Sequence, residues 1–320
     1  MGGIFQNTNG ENIDSLINLY KTGNTSLERL KAFNEIRWTL YKGDLEEGLT
    51  LLDEAIEIAK REKNYKALAK AYEGKAIFSS RDGKATIAED YLSQAITYAE
   101  KSDAYKTKFN IYIRMADLQG FKGQYEKQDS LLNMVLLDKK SKDYPAIRGT
   151  VYSSIGIMYF YKAKHRKSLP YFYKSTKIFE EVGDLLNVAF SQESIGRTYS
   201  NLGKNDSALQ WFQIAYVNYK KSESETYYGS ITYNLAYAFY NNEQNDSAIS
   251  YYIKANEHFG TSENKPGMGM SLEGIGMVYK ESGLFDKALL YYFEAEEILK
   301  GTETRFTVEV GDFQSLFSGF

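Results

Sequence analysis

The stretch from Ile195 to Ala215, IGRTYSNLGKNDSALQWFQIA, returns forty residues later as LAYAFYNNEQNDSAISYYIKA, Leu235 to Ala255. It returns again as IGMVYKESGLFDKALLYYFEA, Ile275 to Ala295, and stands one period earlier as IGIMYFYKAKHRKSLPYFYKS, Ile155 to Ser175. Weaker copies keep the register around Ala116, Ala76 and Ile36. A period of this length restricts the fold severely. One copy cannot bury an apolar face alone, so seven in series must stack and draw their stability from neighbour interfaces.

Each copy reads as the end of one helix, a tight turn and the start of another. One first-helix column holds Ile36 and then the small residues Ala76, Ala116, Gly156, Gly196, Ala236 and Gly276. The second helix opens with Gly48, Ala88, Gln128, Ser168, Ala208, Ala248 and Ala288 in one column. Where both columns are small, two antiparallel helices can approach closely. Leu52, Leu92, Leu132, Phe172, Phe212, Tyr252 and Tyr292 supply the large knobs, each worth roughly 1.5–3 kcal/mol if buried. A third small column, Ala55, Ala95, Val135, Ser175, Ala215, Ala255 and Ala295, lets the next repeat stack. Gln119 and Gln128 mark the early copies as weaker matches. Glu46, Glu126, Asp206, Asp246 and Asp286 begin second helices, where a carboxylate is expected to accept orphan N–H groups and face the positive end of the helix dipole. Gly43, Gly83, Gly123, Gly203 and Gly283 fall where helices end.

Outside the array, residues 1–11 are a polar leader and residues 12–26 hold a short capping helix, Asn12 to Lys21, with Thr25 or Ser26 as the next cap. The array runs from 27 to 300. Residues 301–320 are a non-repeat tail with alternating β-branched residues at Phe306 to Val310 and apolar Phe313, Leu316, Phe317 and Phe320.

Several function classes drop out. With no cysteine there is no disulfide, thiolate metal site or thiol nucleophile. A net charge of −3 gives no basic footprint for nucleic acid. No apolar run approaches the roughly 18 residues of a membrane helix, which excludes direct insertion. His165 and His258 stand far apart without partners and read as surface residues, and no phosphate loop, dinucleotide fingerprint or hydrolase elbow occurs. The expectation is a non-enzyme with no cofactor or metal.

The order Gly196-Tyr199-Gly203-Ala208-Phe212-Ala215, repeated as Gly276-Tyr279-Gly283-Ala288-Tyr292-Ala295, resembles the tetratricopeptide repeat over residues 27–300. The forty-residue period resembles the lengthened form found in bacterial regulators and peptide-pheromone receptors, and the run from Ile13 resembles sensor regions of Bacteroidetes-type signalling proteins. The resemblance implies an all-α, right-handed α-solenoid of about seven repeats whose first helices line a concave groove. It also implies a protein or peptide segment as partner, and a sensor or scaffold role in a larger bacterial signalling protein. A sensor region of that kind would be periplasmic; otherwise the chain would be cytoplasmic. The register assigns Tyr161, Arg197, Asn201, Tyr233, Tyr237, Tyr240 and Asn241 to the groove. There the asparagine amides can pair with a peptide backbone, Arg197 can donate to an anion, and the tyrosines offer rigid amphipathic surface. The paired Lys/Asn/Lys/Arg clamp of co-chaperone relatives is missing. The alternative is a self-assembling scaffold, with the tail joining copies.

Overall fold

The structure, a computed structural model, describes residues 17–33 and 45–300. The leader, Asn12 to Leu16, the first-repeat positions Ile36 and Gly43, and the tail from 301 lie outside the described residues. After helical stretches at 17–22 and 26–33, thirteen α-helices follow. In the first compact unit, Met1–Ser154, these are α1 (Leu45–Arg61), α2 (Tyr65–Arg81), α3 (Ala85–Glu100), α4 (Tyr105–Phe121) and α5 (Tyr125–Leu137). A 3-10 turn at Lys139–Asp143 leads to α6 (Pro145–Tyr161), within which the second unit, Ile155–Phe320, begins. That unit continues with α7 (His165–Val182), α8 (Leu185–Asn201), α9 (Asn205–Lys221), α10 (Tyr228–Asn241), α11 (Asn245–Thr261), α12 (Lys265–Glu281) and α13 (Phe285–Leu299). Even-numbered helices are the first of each pair and odd-numbered ones the second. No strand occurs among the described residues.

The turns explain why the register never slips. At Gly203 the chain turns left-handed (φ +69°), the Gly203 N–H bonds to Ser200 O at 3.0 Å, and the Lys204 N–H bonds to Tyr199 O at 3.0 Å. This is a Schellman end, and its last residue is at once the N-cap of the next helix. The same pair of bonds recurs at Gly83, Gly123, Gly183 and Gly283, and at five residues that are not glycine: Lys63, Ala163, Glu223, Glu243 and Glu263. A helix thus ends and its successor begins within about four residues, every twenty.

The capping chemistry differs from the expectation. The N-cap positions of α3, α7, α9, α11 and α13 are Lys84, Lys164, Lys204, Gln244 and Leu284, and none makes a side-chain cap bond. The expected carboxylates, such as Asp206 and Asp246, sit inside the first turn and act there through the dipole. The side-chain caps are on first helices instead: Asn64, Asp184 and Asn264 accept from the N–H three residues on at 3.0–3.1 Å. At the start of the array, Thr25 and Glu28 form a reciprocal capping box, 3.2 Å and 3.1 Å.

Within each unit the columns are the core. Leu52, Leu92 and Leu132 in the first, and Phe172, Phe212, Tyr252 and Tyr292 in the second, are all buried, as is the third small column. In the second unit the small residues act through distance. A Cβ on Gly156, Gly196 or Gly276 would lie 2.4–2.7 Å from the ring of Phe172, Phe212 or Tyr292. The early repeats are less apolar, as Gln119 and Gln128 suggest. Both are buried, and the Gln119 amide donates to Glu89 Oε1 at 3.0 Å. Lys75 is likewise buried in the first unit, paired with Asp53 at 2.6 Å and lying 4.7 Å over Tyr91.

Candidate functional site

A first helix presents one face to its own second helix, another to the neighbouring pair, and a third stripe at i, i+4 spacing that neither covers. In the second unit these stripes on α8, α10 and α12 border an open cleft of about 540 Å³. Glu193, Arg197 and Asn201 come from α8, Ser230, Tyr233, Asn234 and Tyr237 from α10, and Pro266 and Met270 from α12.

The cleft floor is tied by a buried carboxyl. Glu193 accepts from the Tyr219 hydroxyl at 2.6 Å and from Asn234 Nδ2 at 2.8 Å, which joins α8, α9 and α10. Burial pushes its pKa above the usual carboxylate range, against the opposing pull of the two donors and the Arg197 charge. Tyr219, fully buried, has its phenol pushed up by burial first and by Glu193 second, so it remains a donor. The 41-residue interval from Glu193 to Asn234 recurs between Glu73 and Arg114 and between Tyr240 and Glu281. It is the interval at which first helices of successive repeats meet.

Arg197 stands at the cleft edge. It is exposed, its guanidinium lies 5.2 Å from the centroid of Phe160, and among the described residues no carboxylate forms an ion pair with it. It also borders a smaller pocket of about 110 Å³, lined by Ile157, Phe160, Tyr161, Phe172, Phe190 and Ser194. Arg197 borders both cavities.

Of the seven residues assigned from sequence, the structure brings Arg197, Asn201, Tyr233 and Tyr237 to the cleft. Asn201 donates its amide to Arg197 O at 2.9 Å. Tyr233 is half-buried, edge-on to Tyr252, with its phenol pushed up to about 12 by burial and by Glu273. Tyr237 is 38% exposed. Tyr161, 65% exposed, is on the smaller pocket. Tyr240 and Asn241 line neither cavity. The Tyr240 hydroxyl donates to Glu281, and Asn241 is held through its carbonyl, which accepts from Asn205 at 2.8 Å. The sequence reading missed Asn234, Pro266, Met270 and Phe190. Asn234 could have been found from the 41-residue offset to Glu193, but the contribution of α12 needs the tertiary path.

Both histidines are half-buried rather than free at the surface: His165 packs edge-on to Phe160 at 5.1 Å and His258 edge-on to Tyr228 at 5.6 Å. No group of three His, Asp or Glu among the described residues is placed to hold a metal ion, and none of the described helices is long and apolar enough to cross a membrane.

Paired antiparallel helices in an unbroken forty-residue register, with one stripe of each first helix left uncovered, define an α-helical repeat protein of the solenoid class. Residues 148–221 match the family described as tetratricopeptide repeat. Over those residues the chain carries the tetratricopeptide repeat, and the forty-residue register continues on either side of them. It is similar to the apo form of the quorum sensor NprR from B. thuringiensis, at TM-score 0.69 and 16% identity, over 90% of this chain and 81% of that one. It is similar to a STAND signal-transduction ATPase with a tetratricopeptide repeat sensor from Pyrococcus horikoshii, at TM-score 0.65 and 19% identity, over 94% of this chain. The match spans only 48% of that protein, about half its length. The apo form of RapI is similar at TM-score 0.63 and 13% identity, over 84% of this chain and 97% of that one. At these identities the likeness establishes the fold. Among curated proteins none matches.

Proposed function

We propose that the chain is a non-catalytic module that binds a peptide or protein segment across α8, α10 and α12, as the sensor or scaffold part of a signalling protein. The observation that carries this reading is the convergence of Arg197, Asn201, Tyr233 and Tyr237 from successive first helices on one open cleft. Arg197, Asn201 and Tyr237 are not demanded by the core columns, which other residues fill, whereas Tyr233 also packs on the core ring of Tyr252. An exposed tyrosine and arginine at a concave site are the residue types that dominate recognition energy. Support from the likenesses is coarser: one similar structure is a quorum sensor and another carries a tetratricopeptide repeat sensor.

The test compares wild type with the Arg197→Ala/Tyr237→Ala double variant in titrations against a pool of random-sequence octapeptides. Expected is saturable binding by wild type, weakened at least ten-fold in the variant at an unchanged melting temperature. Equal binding by the two proteins would move the site elsewhere.

A further inference from the structure

We infer that, if the cleft is a peptide site as proposed above, its occupant presents a carboxylate to Arg197 with an aliphatic side chain at or beside the same residue. Arg197 is an exposed cation with no ion-paired carboxylate among the described residues, held in place by the face of Phe160 at 5.2 Å. The acid that borders the cleft, Glu193, is engaged with Tyr219 and Asn234. Burial pushes the Glu193 pKa up, against the pull of its two donors and of Arg197. An anion that approaches Arg197 therefore meets a free fork of donors, suited to two parallel bonds with a carboxylate.

The second half of the inference comes from the smaller pocket. Its walls are one isoleucine and four aromatic rings, and at about 110 Å³ it is on the scale of a short branched side chain. Arg197 is a wall of this pocket as well as of the cleft, so a single short stretch of ligand can present an anion to the guanidinium and an apolar group to the pocket. A valine, leucine or isoleucine at a free C-terminus satisfies both, and so does such a residue next to an internal Asp or Glu. The rest of the segment then runs into the cleft past Asn201, Tyr233 and Tyr237.

The experiment is affinity selection from two pools of random-sequence octapeptides, one with a free C-terminal carboxyl and one amidated. Wild type, Arg197→Gln and Ile157→Trp are compared, each first shown to keep the wild-type circular dichroism spectrum. Wild type is expected to enrich peptides with an aliphatic residue at or next to a carboxylate. Enrichment from the free-acid pool alone identifies the C-terminus as the anion, and enrichment of Asp or Glu peptides from the amidated pool identifies a side chain. Arg197→Gln should bind the best peptide roughly ten- to a hundred-fold more weakly, the range for a lost charge-assisted bond. Ile157→Trp should keep the acid preference and lose the aliphatic one. Enriched peptides without an acid, or held equally by Arg197→Gln, overturn this inference and leave peptide binding intact. No enrichment by wild type overturns both.

Discussion

Gly196 and Phe212 offer a direct test of how these repeats pack. A Cβ at Gly196 would lie 2.7 Å from two ring carbons of Phe212, where comfortable carbon contacts are about 3.5–4.0 Å. Phe212 is 2% exposed, so Gly196→Ala must displace a buried ring or the helix by about 1 Å. Overpacking of this size costs about 1–3 kcal/mol, and the helix propensity gained over glycine returns up to about 1 kcal/mol. A net loss of about 1–2 kcal/mol is expected. Phe212→Leu alone should cost about 1–2 kcal/mol through the space it leaves. The pair together recreates the second and third repeats, where Ala76 and Ala116 stand opposite Leu92 and Leu132 in register; the sixth repeat, with Ala236 and Tyr252, is the exception. The double variant should therefore lose less than the sum of the singles, with a coupling of about 1 kcal/mol or more. The assay is hydrogen exchange of α8 and α9 amides, which reads their local opening energy. Additive losses would refute the claim that this one contact sets the spacing of α8 and α9.

The turns give a second prediction. Glu243 is exposed at φ +60°, where an L-residue pays roughly 1–2 kcal/mol, so Glu243→Gly should raise stability in urea melts, while Gly203→Ala should lower it by about 1 kcal/mol. Asn264→Ala removes the α12 cap and should cost about 1 kcal/mol, seen as faster exchange at Gly267. Glu193 is raised above its unfolded value near 4.3, so the folded state holds its proton more tightly. Its contribution is full below that value and is lost as pH rises through the folded pKa; Glu193→Gln should flatten that fall in denaturation midpoints taken from pH 4 to 8.

Much of the fold is legible in the sequence because the same contact is written seven times. Ala208, Ala248 and Ala288 need not be interpreted singly; their common spacing places all three on one buried face. The turns were readable only where glycine occupies them. Lys63, Ala163, Glu223, Glu243 and Glu263 adopt the same left-handed geometry without the residue type that signals it, because the flanking helices impose it. The caps were misread for a related reason. Asp206 and Asp246 look like N-caps, but the Schellman geometry makes the preceding Lys204 and Gln244 the capping residues. At the site, the register placed Arg197, Asn201, Tyr233 and Tyr237 on the face that borders the cleft, but it also included Tyr240 and Asn241, which line neither cavity. It could not tell Arg197, which forms no ion pair among the described residues, from Tyr240, whose hydroxyl is engaged by Glu281 one repeat away.

The most direct measurement of the binding claim is hydrogen–deuterium exchange of the full chain with and without a saturating pool of random-sequence octapeptides. Added protection is expected chiefly in three separate segments, 193–201, 230–237 and 264–270, with less in α9 and α11, which lend the cleft only the buried rings of Phe212 and Phe259. Protection confined to second helices, or absent from all three segments while peptide is bound, would contradict it.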